Sequence, residues 1–302
     1  MMIAALFAQS DVLALQIRLD RAGYSCNTID GEWGAKSASA LASYCRDRRL
    51  RLNAAPEDAA RTLFPNLHDG LFRIDTVTEE DLASIVAMPK DPADKALMGY
   101  MGYSSLKELF AERGHLSTRA IERLNPEISD WNALKPGDKV RIADFPFMED
   151  DLDAWPRKPG DPDRPLAALV HISLSRREIS VYDKDGRRIF FFPCSIAKSK
   201  SNLPAKGVLE VATRIANPNY TFTPDKTEEG KKPSRHILPP GPRNPVGVAW
   251  MGLDLPRYGI HGTPYPESVG RAESHGCFRL SNWNAARLYS VLQLGTKVVI
   301  AK

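Results

Sequence analysis

Between residues 146 and 165 the sequence sets prolines at 146, 156, 159, 162 and 165 among acidic residues, with almost no apolar pattern. The hydrophobic period changes across this stretch. Upstream, apolar residues recur at helical spacing, as in Leu13, Ile17 and Leu19 or Leu106, Leu109 and Phe110. Downstream they alternate, as in Leu169-Val170-His171-Ile172 and Ile179-Ser180-Val181-Tyr182. A period near 3.6 buries one face of a helix and a period of two buries one face of a strand. The chain of 302 residues therefore reads as multidomain, helical modules first and a mainly-β domain after a proline-stiffened acidic linker.

The helical half divides further. Over residues 10–65 an apolar face ends at Gly23-Tyr24, a turn follows at Asp30-Gly31-Glu32-Trp33-Gly34, and a second helix is expected over 37–49 with Ala38, Leu41, Ala42 and Cys45 on one side. Residues 66–97 carry no strong pattern and are expected to be a linker, with Thr78-Glu79-Glu80-Asp81 capping a short helix. Residues 98–145 hold two short amphipathic helices, then Pro136-Gly137-Asp138 turning into the alternating strand Lys139-Val140-Arg141-Ile142. Residues 1–9 look like a signal-peptide remnant, with an apolar run and small residues but no basic leading segment. In the β-rich domain, 166–302, the Lys184-Asp185-Gly186-Arg187 turn marks a hairpin. One helix is expected over 284–292, peripheral, capped by Ser281 or Asn282 and stopped by Gly295.

Charge narrows the partners. Residues 1–165 carry a net −6 and residues 166–302 a net +10. The basic residues are scattered, not clustered with aromatics on one helix or ribbon, which argues against nucleic acid. No run approaches the roughly 20 apolar residues of a bilayer span, so an integral membrane protein is not expected. Four cysteines are too few for a disulfide scaffold. Cys26 and Cys45 share a module and are read equally as a disulfide or as two buried thiols. Cys194, in the run Phe190-Phe191-Phe192-Pro193-Cys194, reads as a core strand residue.

Chemistry is concentrated in two short runs, His261-Gly262-Thr263 and Ser274-His275-Gly276-Cys277-Phe278-Arg279-Leu280. A thiol becomes a nucleophile at neutral pH when an imidazole is within reach to lower its pKa or take its proton. Two imidazoles stand near Cys277 in sequence. Glycines at 259, 262 and 276 leave the backbone accessible for a substrate carbonyl and for N–H groups facing an oxyanion. Zinc is an alternative use of His261, His275 and Cys277, but no CxxC or HxxxH pair completes a ligand set.

The run Tyr258-Gly259-Ile260-His261-Gly262-Thr263, then Val269-Gly270, then Ser274-His275-Gly276-Cys277 with Arg279, resembles the signature of the L,D-transpeptidase family with the YkuD-type catalytic domain. The resemblance extends over 166–302 through Pro204-Ala205-Lys206-Gly207, Asn217-Pro218-Asn219-Tyr220, the run 239–247 and Gly295-Thr296-Lys297-Val298-Val299-Ile300. Phe278 stands where Ile or Val is usual, and Ala205 where Thr is. Residues 10–65 resemble the peptidoglycan-binding domain type 1, a three-helix unit, and 98–145 resemble a LysM domain lacking its opening strand.

The resemblance implies a fold and an activity. The expected fold is a small α-helical N-terminal module, an α+β LysM-like module and a mainly-β YkuD-type domain with a peripheral helix. The expected activity is peptidoglycan L,D-transpeptidation, without metal or cofactor. It implies Cys277 as nucleophile, His261 as base and the Gly262 carbonyl as the group orienting the imidazole. The N–H groups of Gly276 and Cys277 would hold the oxyanion; Arg279, His275, Ser274 and Tyr258 would bind substrate. Spacing alone leaves His275 as good a base as His261, and Arg279 serves equally as a structural ion-pair partner. The implied partners are peptidoglycan stem peptides, with an outer-membrane lipoprotein as a further acceptor, in the periplasm or cell wall. A cysteine hydrolase acting on the same linkage and a wall-binding scaffold without turnover are the alternatives.

Overall fold

The computed structural model describes residues 7, 9–51, 54–145, 165–199, 207–224, 235–274 and 276–301. Most of the expected signal-peptide remnant and of the acidic linker lies outside them. The first helices are α1 (Asp11–Arg21), α2 (Ala35–Asp47) and α3 (Pro56–Leu63). α1 begins where Ser10 accepts a hydrogen bond from the Leu13 N–H at 3.4 Å, with Asp11 in its first turn and Arg18 and Arg21 in its last. Each charge complements the helix dipole. On α1 the buried Gln16 donates from Nε2 to Asp30 Oδ1 at 2.9 Å and accepts at Oε1 from the Gly31 N–H at 2.8 Å. The Asp30-Gly31 turn is thus fixed by one buried amide that has to be satisfied.

α2 packs differently from expectation. Its buried residues are Ser37, Ala40, Ser43, Tyr44 and Cys45. Ala38, Leu41 and Ala42 instead line a cavity of about 500 Å³ with Trp33, Leu50 and one side of Cys45. Tyr44 takes the inward position because its ring stacks edge-on against Tyr24, centroids 5.3 Å apart, and buries more area than the alanines. Cys26 and Cys45 are separate buried thiols, so the disulfide does not form here.

The expected linker 66–97 is structured. It contributes β1 (Phe72–Thr76), α4 (Glu79–Ala83) and α5 (Pro92–Ala96), ahead of α6 (Leu106–Arg113), α7 (Thr118–Leu124) and β2 (Lys139–Ala143). The capping box at Thr78 and Asp81 is present. β1 and β2 pair antiparallel from Phe72 opposite Ala143 to Thr76 opposite Lys139. No strand is expected in this stretch from the sequence; β1 forms there by pairing with β2. Both N-terminal units share one core, in which Leu13, Ile17, Leu19 and Ile29 join Phe110, Leu116, Ile121 and Ile142.

Beyond residue 165 the chain forms β3 (Leu169–Ser173), β4 (Glu178–Tyr182), β5 (Arg188–Pro193), β6 (Ile196–Ala197), β7 (Gly207–Ala216), β8 (Tyr220–Phe222), β9 (His236–Leu238), β10 (Ala249–Leu253), β11 (Gly259–His261), β12 (Ala272–Ser274) and β13 (Phe278–Arg279). Helix α8 (Asn282–Val291) and β14 (Lys297–Ala301) complete it. Eight strands make one sheet in the order β13-β11-β10-β7-β14-β3-β4-β5, while β6 pairs with β12 and β8 with β9. Its core holds Val170, Ile172, Val181, Phe192, Cys194, Met251, Ile260, Phe278 and Val298.

The N-terminal region closes the outer edge of this sheet. Ser25 N–H donates to the Phe191 carbonyl at 2.9 Å and Phe191 N–H to the Gly23 carbonyl at 2.8 Å, so β5 is not left as an open edge. Gly23 is required there: its φ is +86°, and a Cβ would meet the Ile189 carbonyl oxygen at 2.5 Å. Successive β5 residues serve different cores, Phe191 the N-terminal one and Phe192 the sheet.

The helix expected to be peripheral is buried along its whole length. Ala285, Leu288 and Val291 of α8 belong to the sheet's core, and its polar side meets the N-terminal region. Arg287 pairs with Asp20 at 2.6 Å, Asn284 donates to Ser25 Oγ at 3.0 Å, and His115 stacks against Phe145 and Trp283 at 4.0 and 5.2 Å. Among the described residues, no helix is long and apolar enough to cross a membrane.

Candidate active site

β11 and β13 run parallel, Ile260 opposite Phe278 and His261 opposite Arg279. Side chains alternate along a strand. Ile260 and Phe278 point into the core, both fully buried. His261 and Arg279 therefore share the other face, and Cys277, two residues before Arg279, extends it. A parallel register offset by two residues is what brings together groups that sequence separates.

The thiol and the imidazole differ in setting. Cys277 is partly exposed; its Sγ lies 3.4 Å from the Arg257 carbonyl oxygen. Burial pushes the thiol above its ordinary pKa, and a hydrogen bond from Gly259 and the charge of Arg279 pull it down without offsetting that. His261 is buried, and its Nδ1 donates to the Gly262 carbonyl at 2.6 Å. That bond leaves Nε2 as the acceptor. Burial holds the imidazole down to about 4, the Gly262 carbonyl opposing and Arg279 adding to the effect.

The expectation of an acidified thiol is not met. Both groups are neutral at physiological pH, because desolvation disfavours either charge. The chemistry open to this pair is general-base catalysis, the proton leaving Sγ as the sulfur attacks.

The surrounding scaffold is specific. Trp250 of β10 sits opposite His261 in register and stacks on it, centroids 5.6 Å apart and planes 23° from parallel. Gly259 has no side chain because a Cβ would lie 2.7 Å from the Trp250 ring. Ser195 exchanges backbone hydrogen bonds with Arg279 at 2.9 and 3.0 Å, and its hydroxyl donates to the Ser268 carbonyl at 3.2 Å. It thereby ties the loop 265–270 to the reactive strand. Asn27 of the N-terminal region reaches the same loop, donating to the Pro266 carbonyl at 2.8 Å.

The predicted site residues divide into three groups. His261 and Arg279 sit side by side on β11 and β13, with Gly262 following the one and Gly276 and Cys277 preceding the other. Tyr258 packs partly buried against the sheet's core. His275 and the side chain of Ser274 lie outside the described residues; the Ser274 backbone ends β12, which pairs with β6. Trp250 and Asn27 were not anticipated. An aromatic opposite a catalytic strand gives no local signal, and Asn27 acts across more than two hundred residues.

Residues 167–300 match the L,D-transpeptidase catalytic domain, YkuD. This chain carries a YkuD-type catalytic domain. A Fuscovulum blasticum protein whose name places it among the L,D-transpeptidases is 33% identical over 122 residues, covering 40% of this chain and 63% of the relative. A Bacillus subtilis protein so named, YqjB, is 35% identical over 112 residues, 35% of this chain and 57% of the relative. The alignments thus span less than two thirds of these relatives. An L,D-transpeptidase structure from Mycobacterium smegmatis, 17% identical, covers 45% of this chain and 59% of its own at a TM-score of 0.36, a likeness too slight to weigh. The matched segment holds the strands of the eight-stranded sheet, with β13, β11 and β10 at one end of the order.

Proposed function

We propose that this chain is a peptidoglycan L,D-transpeptidase. The observation that carries the reading is Cys277 and His261 on one face of β11 and its parallel neighbour, inside a segment matching the YkuD-type catalytic domain. In this reading Nε2 of His261 takes the thiol proton as Sγ attacks the carbonyl between the third-position diamino acid and D-Ala of a tetrapeptide stem. The backbone N–H groups of Gly276 and Cys277 hold the oxyanion. As the C–N bond breaks, the imidazolium returns the proton to the departing D-Ala amine, leaving a thioester on Cys277. An amine of a neighbouring stem, or of an outer-membrane lipoprotein, attacks the thioester, and Cys277 regains its proton through His261. Arg279 and Tyr258 bind the stem, the guanidinium pairing with a carboxylate; substrate-binding roles are likewise proposed for Ser274 and His275.

The N-terminal units serve wall binding in this account, which places the protein in the periplasm or cell wall. Support comes from the open cavity beside α2, whose apolar lining of Ala38, Leu41 and Trp33 beside Arg46 and Arg51 suits a ligand with both apolar and anionic parts. The pairing of β1 with β2, with α6 and α7 before β2 and α4 and α5 inserted between, supports a LysM-like reading of this unit.

The test is mass spectrometry of muropeptides after incubation with tetrapeptide-rich sacculi. Dimers joined between two diamino acids are expected. Tripeptide monomers alone would mean a hydrolase, and unchanged sacculi a binding protein without turnover.

A further inference from the structure

Glu112 of α6 is almost fully buried, at 6% exposure, although it belongs to the N-terminal region and is a carboxylate. It lies against the first residue of α8. Asn282 Nδ2 donates to Glu112 Oε1 at 3.0 Å and Oε2 at 3.2 Å, and also to the Pro242 carbonyl at 3.0 Å. Tyr103 donates its hydroxyl to Glu112 at 3.0 Å. Both protons of the Asn282 amide nitrogen are thereby engaged, and Oδ1 has to face the other way.

What Oδ1 faces is the active-site backbone. It fills the space that a Cβ on Gly247 or on Gly262 would occupy, and no hydrogen bond satisfies it among the described residues. Gly262 is the residue whose carbonyl accepts the 2.6 Å hydrogen bond from His261 Nδ1. Its N–H is held by the Ala249 carbonyl at 3.2 Å, and the Leu280 N–H holds the His261 carbonyl at 2.8 Å. Sheet hydrogen bonds thus fix one side of this turn, and Asn282 supports the other. An unsatisfied buried carbonyl oxygen is costly, and its retention here against two glycines marks a constrained position.

We propose that Glu112 is a positioning residue for the catalytic base: by holding the Asn282 amide, it backs Gly262 and so fixes the His261 imidazole for proton transfer. The N-terminal region then completes the active site in addition to any wall binding. The inference rests on His261 being the base. A small misplacement of a catalytic group costs up to about a hundredfold in rate, so a carboxylate acting through one amide is expected to be worth on the order of tenfold.

The alternative is that Glu112 only glues the two regions together. Asp47, which pairs with Arg188 at 3.3 Å and accepts from Tyr24 at 2.8 Å in the same seam, supplies the control. In the full chain, Glu112→Ala, Glu112→Gln and Asp47→Asn are compared for kcat and KM of D-Ala release from a tetrapeptide stem. Each is also compared for the rate of iodoacetamide alkylation of Cys277, with and without His261→Ala. Glu112→Ala is expected to lower kcat and alkylation about tenfold with KM nearly unchanged. Glu112→Gln, which keeps an acceptor for Asn282, should recover most of both, and Asp47→Asn should resemble the unmodified protein. In the His261→Ala background the effect of Glu112→Ala should vanish, because a group acting through another adds nothing once that one is gone. An unchanged rate in Glu112→Ala, an equal loss with Asp47→Asn, or a full tenfold loss persisting without His261 would overturn the proposal. If Glu112→Ala fails to fold, Asn282→Ser carries the same comparison. Alkylation coupling without any D-Ala release would leave the positioning role standing and refute the transpeptidase reading instead.

Discussion

His261 and Cys277 are both uncharged near neutral pH, and this sets how the site responds to pH. The imidazole, held down to about 4 by burial, keeps Nε2 free of a proton over the whole physiological range. The thiol, pushed up by the same desolvation, holds its proton until a carbonyl is presented. Alkylation of Cys277 should therefore show a His261-assisted component that is nearly flat around neutral pH, and should climb further as the thiol itself ionises at or above its ordinary range near about 8.5. His261→Ala should lower turnover by roughly 10²–10⁴-fold, the usual worth of a general base. Alkylation near neutral pH that His261→Ala leaves unchanged would contradict this account. Cys277, His261 and Arg279 were legible in sequence because they lie in two short glycine-containing runs that carry the imidazoles and the thiol. Trp250 and Glu112 were not, since nothing near either residue shows which strand or helix it will face.

At the scale of elements, α8 shows the limit of periodicity. The helix was expected to be peripheral, but Asn282, Asn284 and Arg287 are buried along with Leu288 and Val291. Polar residues are buried only where another element satisfies them, and the partners here lie in residues 20–115. The same physics hid β1: with none of its five residues fully buried, it becomes a strand by pairing with β2, more than sixty residues later. Arg287 tests the seam. Burial pushes Asp20 up, yet the charge of Arg287 and the hydrogen bonds from Arg287 and His115 hold it well below the usual carboxylate range. Arg287→Ala leaves that carboxylate with His115 alone and should destabilise the protein by about 3–5 kcal/mol, read by urea denaturation. A loss under about 1 kcal/mol, as for an exposed pair, would show that the seam does not depend on it.

For the whole molecule, buried titratable groups link stability to pH in opposing directions. His115 and His261 are each held near 4 by burial. The unfolded chain, with histidine near 6.5, takes up these protons first, so their contribution drains as pH falls from about 6.5 toward about 4. Glu112, raised to about 7 chiefly by burial, binds its proton more tightly when folded. Its contribution is full below about 4.5 and is lost as pH rises through 7. His115→Asn removes one histidine while tolerating the positive φ of 52° at that position. Its melting temperature should fall less steeply than that of the unmodified protein between pH 6.5 and 4, whatever its absolute stability. Parallel curves would mean that His115 is not buried neutral.

The central claim is that Cys277 is acylated by a peptidoglycan stem, and intact-protein mass spectrometry reaches it most directly. The protein is incubated with a tetrapeptide stem, quenched in acid and mapped by proteolysis. The account predicts a thioester adduct of the stem lacking its terminal D-Ala, carried by the Cys277 peptide and absent in Cys277→Ser. The thiols of Cys26, Cys45 and Cys194, all buried, should remain unmodified. D-Ala release that persists in Cys277→Ser, or an adduct on any other residue, would contradict it.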